Sequence, residues 1–145
     1  MDRVNKSKRS YIMSCVKSRH TSPEILIRKE LHKIGLRYRL HDKNLPGKPD
    51  LVFPKYKAVV FVNGCFWHGH KCSKGRLPKS NLVFWREKVE RNRKRDSQNA
   101  RSLRRLGYKV LVVWQCSIMG RRKIEIRALG EKVRRWLCSK GIAGR

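Results

Sequence analysis

Apolar residues recur along this chain with helical spacing in some segments and with strand spacing in others. A weak amphipathic helix is predicted over residues 10–18, and a better marked one has its body at residues 25–34. Thr21 offers an N-cap to the second helix, Glu24 stands three residues later as in a capping box, and Gly35 follows the last apolar position as a C-cap. The chain therefore begins with helices.

The pattern then changes to that of strands. Leu36, Tyr38 and Leu40 alternate with polar residues, which predicts a half-buried strand over residues 36–41. After turn residues at 44–49, two strands are predicted over residues 50–53 and 58–62. The second is continuously apolar, which is typical of a strand buried on both faces.

The second half of the chain is predicted to contain a long loop, two helices and a strand. Residues 63–81 are irregular and rich in Cys, His, Gly and Trp, and a loop of that length suggests function. Residues 82–106 predict a basic helix, residues 108–114 a buried strand and residues 124–137 a closing helix. The apolar positions of the basic helix are Phe84, Val89, Leu103 and Leu106. We expect one α/β domain over residues 1–145, with a mixed sheet flanked by helices and a basic arm at residues 1–9.

Charge identifies the class of partner. The chain has 38 Lys and Arg against 10 Asp and Glu, a formal net charge of +28, which favours a polyanion such as nucleic acid. Leu, Ile, Val and Phe account for 37 of 145 residues, above the roughly one-fifth below which charged chains stay disordered. The apolar runs are too short for a membrane span, and the first residues lack a secretory signal. We expect a folded, soluble, cytoplasmic protein that does not bind membranes.

Cysteine and histidine cluster in the long loop. Five cysteines without an export signal make a disulfide framework improbable. Cys65, His70 and Cys72 are ligands that Zn²⁺ accepts, and a closed site needs a fourth. Cys116, just past a strand, is the natural fourth ligand and His68 competes with it, whereas two other cysteines are less well placed: Cys15 and Cys138. Buried free thiols beside a histidine remain the alternative.

The acidic residues of so basic a chain need an explanation. Asp50 begins a strand next to a buried one, where its carboxylate could hold Mg²⁺ for phosphodiester hydrolysis or accept backbone N–H groups in a turn. Helix capping alone accounts for Glu24. Three histidines in polar contexts are not expected to be catalytic: His20, His32 and His41. His68, beside the aromatic residues Phe66 and Trp67, could act as a general base.

Four strings of residues closely resemble the very short patch repair (Vsr) endonucleases. They are Leu-Pro-Gly-Lys-Pro-Asp at 45–50, Val-Val-Phe-Val-Asn-Gly-Cys-Phe-Trp-His at 59–68, Phe-Trp at 84–85 and Val-Leu-Val-Val-Trp-Gln-Cys at 110–116. The resemblance implies a restriction-endonuclease-like α/β core with a structural zinc. It implies an enzyme that uses Mg²⁺ to nick double-stranded DNA on the 5′ side of the T in T·G mispairs left by 5-methylcytosine deamination, which initiates very short patch repair.

The resemblance also implies roles for individual residues. Asp50 matches the metal-binding aspartate, and Val62 stands where a backbone carbonyl completes the Mg²⁺ site. His68 matches the histidine that activates water, and Glu24 an acid that supports the metal-bound water. The zinc ligands match Cys65, His70, Cys72 and Cys116.

Aromatic and apolar residues match the parts of the family that approach the mismatch. Phe66, Trp67 and Trp85 match the aromatics on the major-groove side. Met13 and Val16 match the N-terminal helix that approaches from the minor groove. Trp85 also has the spacing of a core residue, but Phe84 can fill the core while Trp85 points outward, so we expect Trp85 to face DNA.

At Asn63 the chain departs from a well-known member of the family, which has a histidine in contact with the active-site phosphate. Asparagine still donates a hydrogen bond but carries no charge, so we expect Asn63 to contact phosphate without serving as a base. The resemblance further implies a bacterial, nucleoid-associated monomer that cooperates with the mismatch-repair protein MutL.

Two other functions remain possible on the sequence. One is a nuclease of broader mismatch specificity, and the other is a non-catalytic, zinc-stapled nucleic-acid-binding protein. Asp50, His68 and Glu24 favour an enzyme, because a passive binder gains nothing from such groups.

Overall fold

Three helices pack against the two faces of a four-stranded sheet in residues 21–139, the part of the chain that the computed structural model describes. The elements follow the predicted order: α1 (Ser22–Lys33), β1 (Arg39–Leu40), β2 (Leu51–Phe53), β3 (Ala58–Asn63), α2 (Leu82–Arg105), β4 (Lys109–Trp114) and α3 (Lys123–Cys138). The predicted basic arm and the predicted helix at 10–18, which contains Met13, Cys15 and Val16, lie outside the described residues, as does His20.

The sheet is mixed, as predicted, with the strand order β1-β2-β3-β4. β1, β2 and β3 are antiparallel neighbours, whereas β3 and β4 are parallel and α2 makes the crossover between them. Asn63 lies opposite Trp114 at the carboxyl end of this parallel pair. The two segments that follow β3 and β4 therefore start side by side.

Each face of the sheet has its own apolar cluster. α1 and α3 cover one face, where the buried residues include Ile27 and Leu31 from α1, Phe53 and Val60 from the sheet, and Val133 from α3. α2 covers the other face, where the buried residues are Val52, Val59 and Leu103. Among residues 21–139, no helix is long and apolar enough to cross a membrane.

The signals at the two ends of α1 act as predicted. The Thr21 hydroxyl accepts a hydrogen bond from the Glu24 backbone N–H at 3.4 Å. At the other end Gly35 has φ +93°, and the N–H groups of Gly35 and Leu36 donate to the carbonyls of His32 and Leu31. This is a Schellman motif, in which glycine adopts the left-handed conformation without steric strain.

Three predictions of burial are wrong at the edges of the sheet and at the ends of α2. Of the predicted strand at 36–41, only Arg39 and Leu40 form β1, and both are exposed, although Leu36 is buried and Tyr38 packs against the core. β4 is the other edge strand and buries only Val113. α2 has 24 residues, and at about 1.5 Å per residue it is longer than a six-residue strand, which spans about 20 Å. The ends of α2 therefore extend beyond the sheet. Its end residues Phe84 and Leu106 are therefore 51% and 52% exposed.

Candidate active site and metal centre

A cleft of about 850 Å³ lies between the sheet and α2. It brings together four residues that the sequence had marked from separate segments: Asp50, Val62, Asn63 and His68. Asn63 ends β3 and is only 8% exposed. Basic side chains also line the cleft, namely Lys43, Lys48 and Arg95. A positive wall beside carboxylates suits a phosphate group that must approach a metal site.

Asp50 lies just before β2 with its side chain largely buried. Its Oδ2 accepts a hydrogen bond of 2.7 Å from the Val62 backbone N–H. Burial raises the pKa of Asp50 to about 6, the Val62 N–H opposes that shift, and the nearby charge of Glu24 adds to it. An ionised Asp50 is thus unfavourable in the free protein and would be stabilised by a cation.

Glu24 does more than cap a helix. Its side chain is almost fully buried, and Oε2 lies 3.0 Å from an Arg28 guanidinium nitrogen and 2.9 Å from His41 Nε2. One ligand atom from each of Glu24, His41 and Asp50 lies within 4.8 Å of the others. His41, which the sequence analysis did not expect to be catalytic, therefore lies beside Glu24 and Asp50.

His68 lies at the cleft with its ring held by α2. His68 Nδ1 is 2.5 Å from Asp96 Oδ2, and the Asn92 side chain donates to the Trp67 carbonyl oxygen at 2.8 Å. Asn92 and Asp96 are one helical turn apart, so a single face of α2 supports the segment that carries His68.

Sequence reasoning missed Asp96, Asn92 and His41. Asp96 carried a signal, because it is the only acid between Glu90 and Glu125 in a strongly basic stretch. The position of His41 beside Asp50 depends on how β1 pairs with β2, which no local sequence pattern shows.

The Cys and His side chains form a second cluster beside the cleft. One ligand atom from each of Cys65, His70, Cys72 and Cys116 lies within 4.8 Å of the others. His70 Nδ1 is 3.5 Å from Cys116 Sγ, a separation that matches two ligands on a tetrahedral ion with bonds of about 2.0–2.3 Å. Cys116 is thus the fourth member, as the sequence favoured, whereas His68 contacts Asp96 and Cys138 is exposed.

Packing holds this cluster in shape. The His70 ring stacks on Trp114 with centroids 4.2 Å apart. A Cβ on Gly75 would lie 1.9 Å from the His70 carbonyl oxygen, so only glycine permits the loop to fold back here. The hydrogen bond with His70 lowers the pKa of Cys72 to about 6, whereas burial raises the pKa of Cys65 to about 11. Thiols and an imidazole at these positions suit a soft or borderline divalent metal.

Four aromatic side chains form a contiguous group at the start of α2. Phe66, Trp67 and Trp85 meet pairwise edge to face, with centroids 5.2 to 6.0 Å apart, and Phe84 meets Trp85 at 5.0 Å. The prediction that Trp85 points outward is wrong. Trp85 is 4% exposed and Phe84 is 51% exposed, because Phe66 and Trp67 cover the Trp85 ring.

Two features of this aromatic group are unusual for a core. The Lys88 ammonium lies 5.4 Å from the centroid of the Trp67 ring and 5.9 Å from that of Phe84. The buried indole nitrogen of Trp85 has no hydrogen-bond partner among the described residues. A buried donor without an acceptor costs about 1–3 kcal/mol, so this group is not optimised for stability alone.

Comparison with known proteins agrees with this arrangement. A family model described as DNA mismatch endonuclease Vsr matches residues 1–74. The DNA mismatch endonuclease Vsr of Escherichia coli K12 is 38% identical over 139 residues, covering 96% of this chain and 89% of that protein.

Two nicking enzymes are also similar to the chain. The type II nicking enzyme V.NmeAIP of Neisseria meningitidis is 53% identical over 112 residues, covering 77% of this chain and 80% of that enzyme. The type II nicking enzyme V.XorIIP of Xanthomonas oryzae is 49% identical over 126 residues, covering 87% and 93%. The family model matches half of the chain, and the Escherichia coli relative is 38% identical over 96% of it. The chain therefore belongs to the Vsr family of DNA mismatch endonucleases.

Proposed function

We propose that this protein nicks double-stranded DNA on the 5′ side of the T in T·G mispairs produced by 5-methylcytosine deamination, and so initiates very short patch repair. The observation that carries the proposal is the cleft in which Asp50, Val62 and His68 meet beside the aromatic group. Family membership supports the reaction class. We also propose that the mixed sheet and its helices form a restriction-endonuclease-like core.

The acids of the cleft fit a Mg²⁺ site. Asp50 and the Val62 backbone carbonyl would hold the ion, and Glu24 would support a water bound to it, since Mg²⁺ prefers oxygen ligands and keeps several waters. When bound, the ion supplies electrostatic stabilisation of the negative charge that develops on the phosphate oxygens. The raised pKa of Asp50 supports this role, because a nearby cation would relieve the unfavourable carboxylate.

His68 is proposed as the general base. When His68 Nδ1–H donates to Asp96, the lone pair of Nε2 is free to accept a proton from the attacking water. Asp96 thereby fixes both the tautomer and the orientation of the ring. Asn63, Lys48 and Arg95 line the same cleft and would contact the phosphate.

The aromatic group is proposed to detect the mismatch. Unstacking a paired duplex costs a few kcal/mol per step, and a mismatch lowers that cost, while a ring stacked on a base returns about 1–3 kcal/mol. Phe66 and Trp67 are more accessible than Trp85, which is buried and contacts both rings. Met13 and Val16 would approach from the minor groove.

We propose Zn²⁺ as the ion of the Cys65, His70, Cys72 and Cys116 cluster. Two thiolates follow β3, one follows β4, and His70 lies between them. The ion would tie the loop at 63–81 to the end of β4 and so hold His68 at the cleft. We further propose one domain over residues 1–145, acting as a monomer near the bacterial nucleoid, with MutL as a partner.

A nicking assay tests the proposed function. With Mg²⁺, a duplex that carries one T·G mispair should be cut on the 5′ side of the T, and the matched T·A duplex should not. Activity should be lost without Mg²⁺ and return when Mg²⁺ is restored. Equal cutting of both duplexes would favour a nuclease of broader specificity, and binding without cutting would favour a passive nucleic-acid-binding protein.

Replacing Asp50 by Asn should abolish nicking yet stabilise the Mg²⁺-free protein. Burial holds the carboxyl pKa at about 6 in the folded protein, against 3.8 for an exposed aspartate. Because the folded state then binds this proton more tightly than the unfolded state, the free energy of unfolding falls as pH rises between those two values and stays lower above them. Near pH 7.5 we expect Asp50→Asn to gain about 2–3 kcal/mol, seen as a Tm increase of several degrees, and near pH 4 no gain. A lower Tm at pH 7.5 would show that the charge stabilises the fold.

Replacing His68 by Ala should slow nicking by roughly 10²- to 10⁴-fold, the range that a general base supplies. Asp96→Asn should slow it by tenfold or more while DNA affinity stays within about twofold. Glu90→Gln removes one negative charge from an exposed position on the same helix and is the matched control. If Asp96→Asn and Glu90→Gln are equally active, the contact between His68 and Asp96 has no catalytic role.

Replacing Cys116 by Ser should release the metal of the Cys and His cluster. We expect wild type to contain about one zinc per chain by elemental analysis, and Cys116→Ser to lose most of it with a Tm lower by roughly 10 °C. Cys138→Ser changes an exposed cysteine away from the cluster and should keep both metal and Tm. A zinc-free wild type would refute the assignment.

A further inference from the structure

His41 has no role in the proposed reaction, yet its side chain lies beside two acids, Glu24 and Asp50. The register Arg39↔Val52 and Leu40↔Leu51 places the next pair, His41 and Asp50, opposite each other. The His41 backbone N–H donates to the Asp50 carbonyl oxygen at 3.2 Å. Because His41 follows β1 and Asp50 precedes β2, the antiparallel pairing of the two strands brings these residues together.

The imidazole of His41 lies between two carboxylates. Its Nε2 is 2.9 Å from Glu24 Oε2 and 3.9 Å from Asp50 Oδ1, and the side chain is 11% exposed. Because the other Asp50 oxygen accepts the hydrogen bond from Val62, Oδ1 is the oxygen directed at His41. One nitrogen and two oxygens thus converge on a common point.

The backbone at His41 is in the left-handed region, with φ +48°. Non-glycine residues adopt this conformation infrequently, although histidine does so more readily than most. Such outliers cluster at ligand sites, where the surrounding structure enforces them. Here the enforced turn keeps the imidazole against Asp50 and Glu24.

We infer that Glu24, His41 and Asp50 form one site for a divalent cation at the position proposed for Mg²⁺, in which His41 Nε2 is a direct ligand and which binds Mn²⁺ in preference to Mg²⁺. With Mn²⁺ bound, Glu24 would be a ligand itself instead of supporting a metal-bound water. The inference rests on the proposed function, since Asp50 serves both. On an octahedral ion with bonds of about 2.1 Å, adjacent ligand atoms lie about 3 Å apart and opposite ones about 4.2 Å apart. The observed 2.9 Å and 3.9 Å fit one shared ion.

The chemistry of the donor set determines the ion. Mg²⁺ binds oxygen ligands and gains little from an imidazole. Transition metals accept imidazole nitrogen, and Mn²⁺ also suits carboxylates. The thiolates of the neighbouring Cys and His cluster select a softer ion, so the two clusters would not compete for the same metal.

Electron spin-echo spectroscopy of Mn²⁺ tests the inference on the zinc-loaded full chain without DNA. We expect ¹⁴N modulation from a directly bound imidazole. The modulation should vanish in His41→Gln, where Mn²⁺ affinity should fall by roughly tenfold or more and Mg²⁺ affinity much less. It should persist in two controls, His68→Gln from the same cleft and His32→Gln from the surface.

Histidine-selective ¹⁵N labelling of the wild type gives a second measurement that does not depend on a variant folding. The label should remove the ¹⁴N modulation. Three results would each overturn the inference. They are Mn²⁺ binding without nitrogen modulation, modulation that survives in His41→Gln, and wild-type Mn²⁺ binding no stronger than that of Asp50→Asn. Nicking with Mg²⁺ alongside any of those results would leave the proposed function standing, whereas nitrogen-bound Mn²⁺ without nicking would refute the function and keep the site.

Discussion

The parallel pairing of β3 with β4 is the constraint on which both clusters depend. Because Asn63 is opposite Trp114, the segments after the two strands leave the sheet together, and Cys65 meets Cys116. The same pairing brings Trp114 into a stacked contact with the His70 ring and an edge-to-face contact with the His68 ring. The metal cluster and the base of the cleft therefore share one structural support, and displacement of β4 would disturb both.

Electrostatics sets the second requirement. A chain with a net charge of +28 attracts DNA but does not by itself distinguish one duplex from another, and such binding weakens steeply with salt. In the proposed function, selectivity comes from the aromatic group, and the chemistry comes from the few acids together with His68. Burial of Asp50 and the nearby charge of Glu24 both make ionisation of Asp50 more difficult. That arrangement is unfavourable for the free protein and favourable for holding a cation against phosphate.

Local patterns predicted the elements well and their exposure less well. The caps of α1, the run of β3 and the mixed sheet follow from residues close in the sequence, whose effects are local. Trp85 and Phe84 show the limit: both have spacings compatible with a core, and the loop at 63–81 decides which ring is covered. The prediction that Leu106 and Val112 are buried is wrong for a similar reason. The sequence does not show where a long helix extends beyond the sheet, or which strand forms the edge of the sheet.

The candidate site divides in the same way. The sequence by itself determined which chemical groups the chain offers: a basic chain, a set of thiols and an imidazole with a fourth ligand favoured at Cys116, and Asp50 and His68 as candidate reactive groups. Only the tertiary structure decided that Asp96 orients His68, that Asn92 holds Trp67, and that His41 lies between Glu24 and Asp50. Those contacts join residues 9 to 28 positions apart in the sequence. They depend on strand register and on how a helix is rotated against a sheet, which are set by packing of the whole domain rather than by any local pattern.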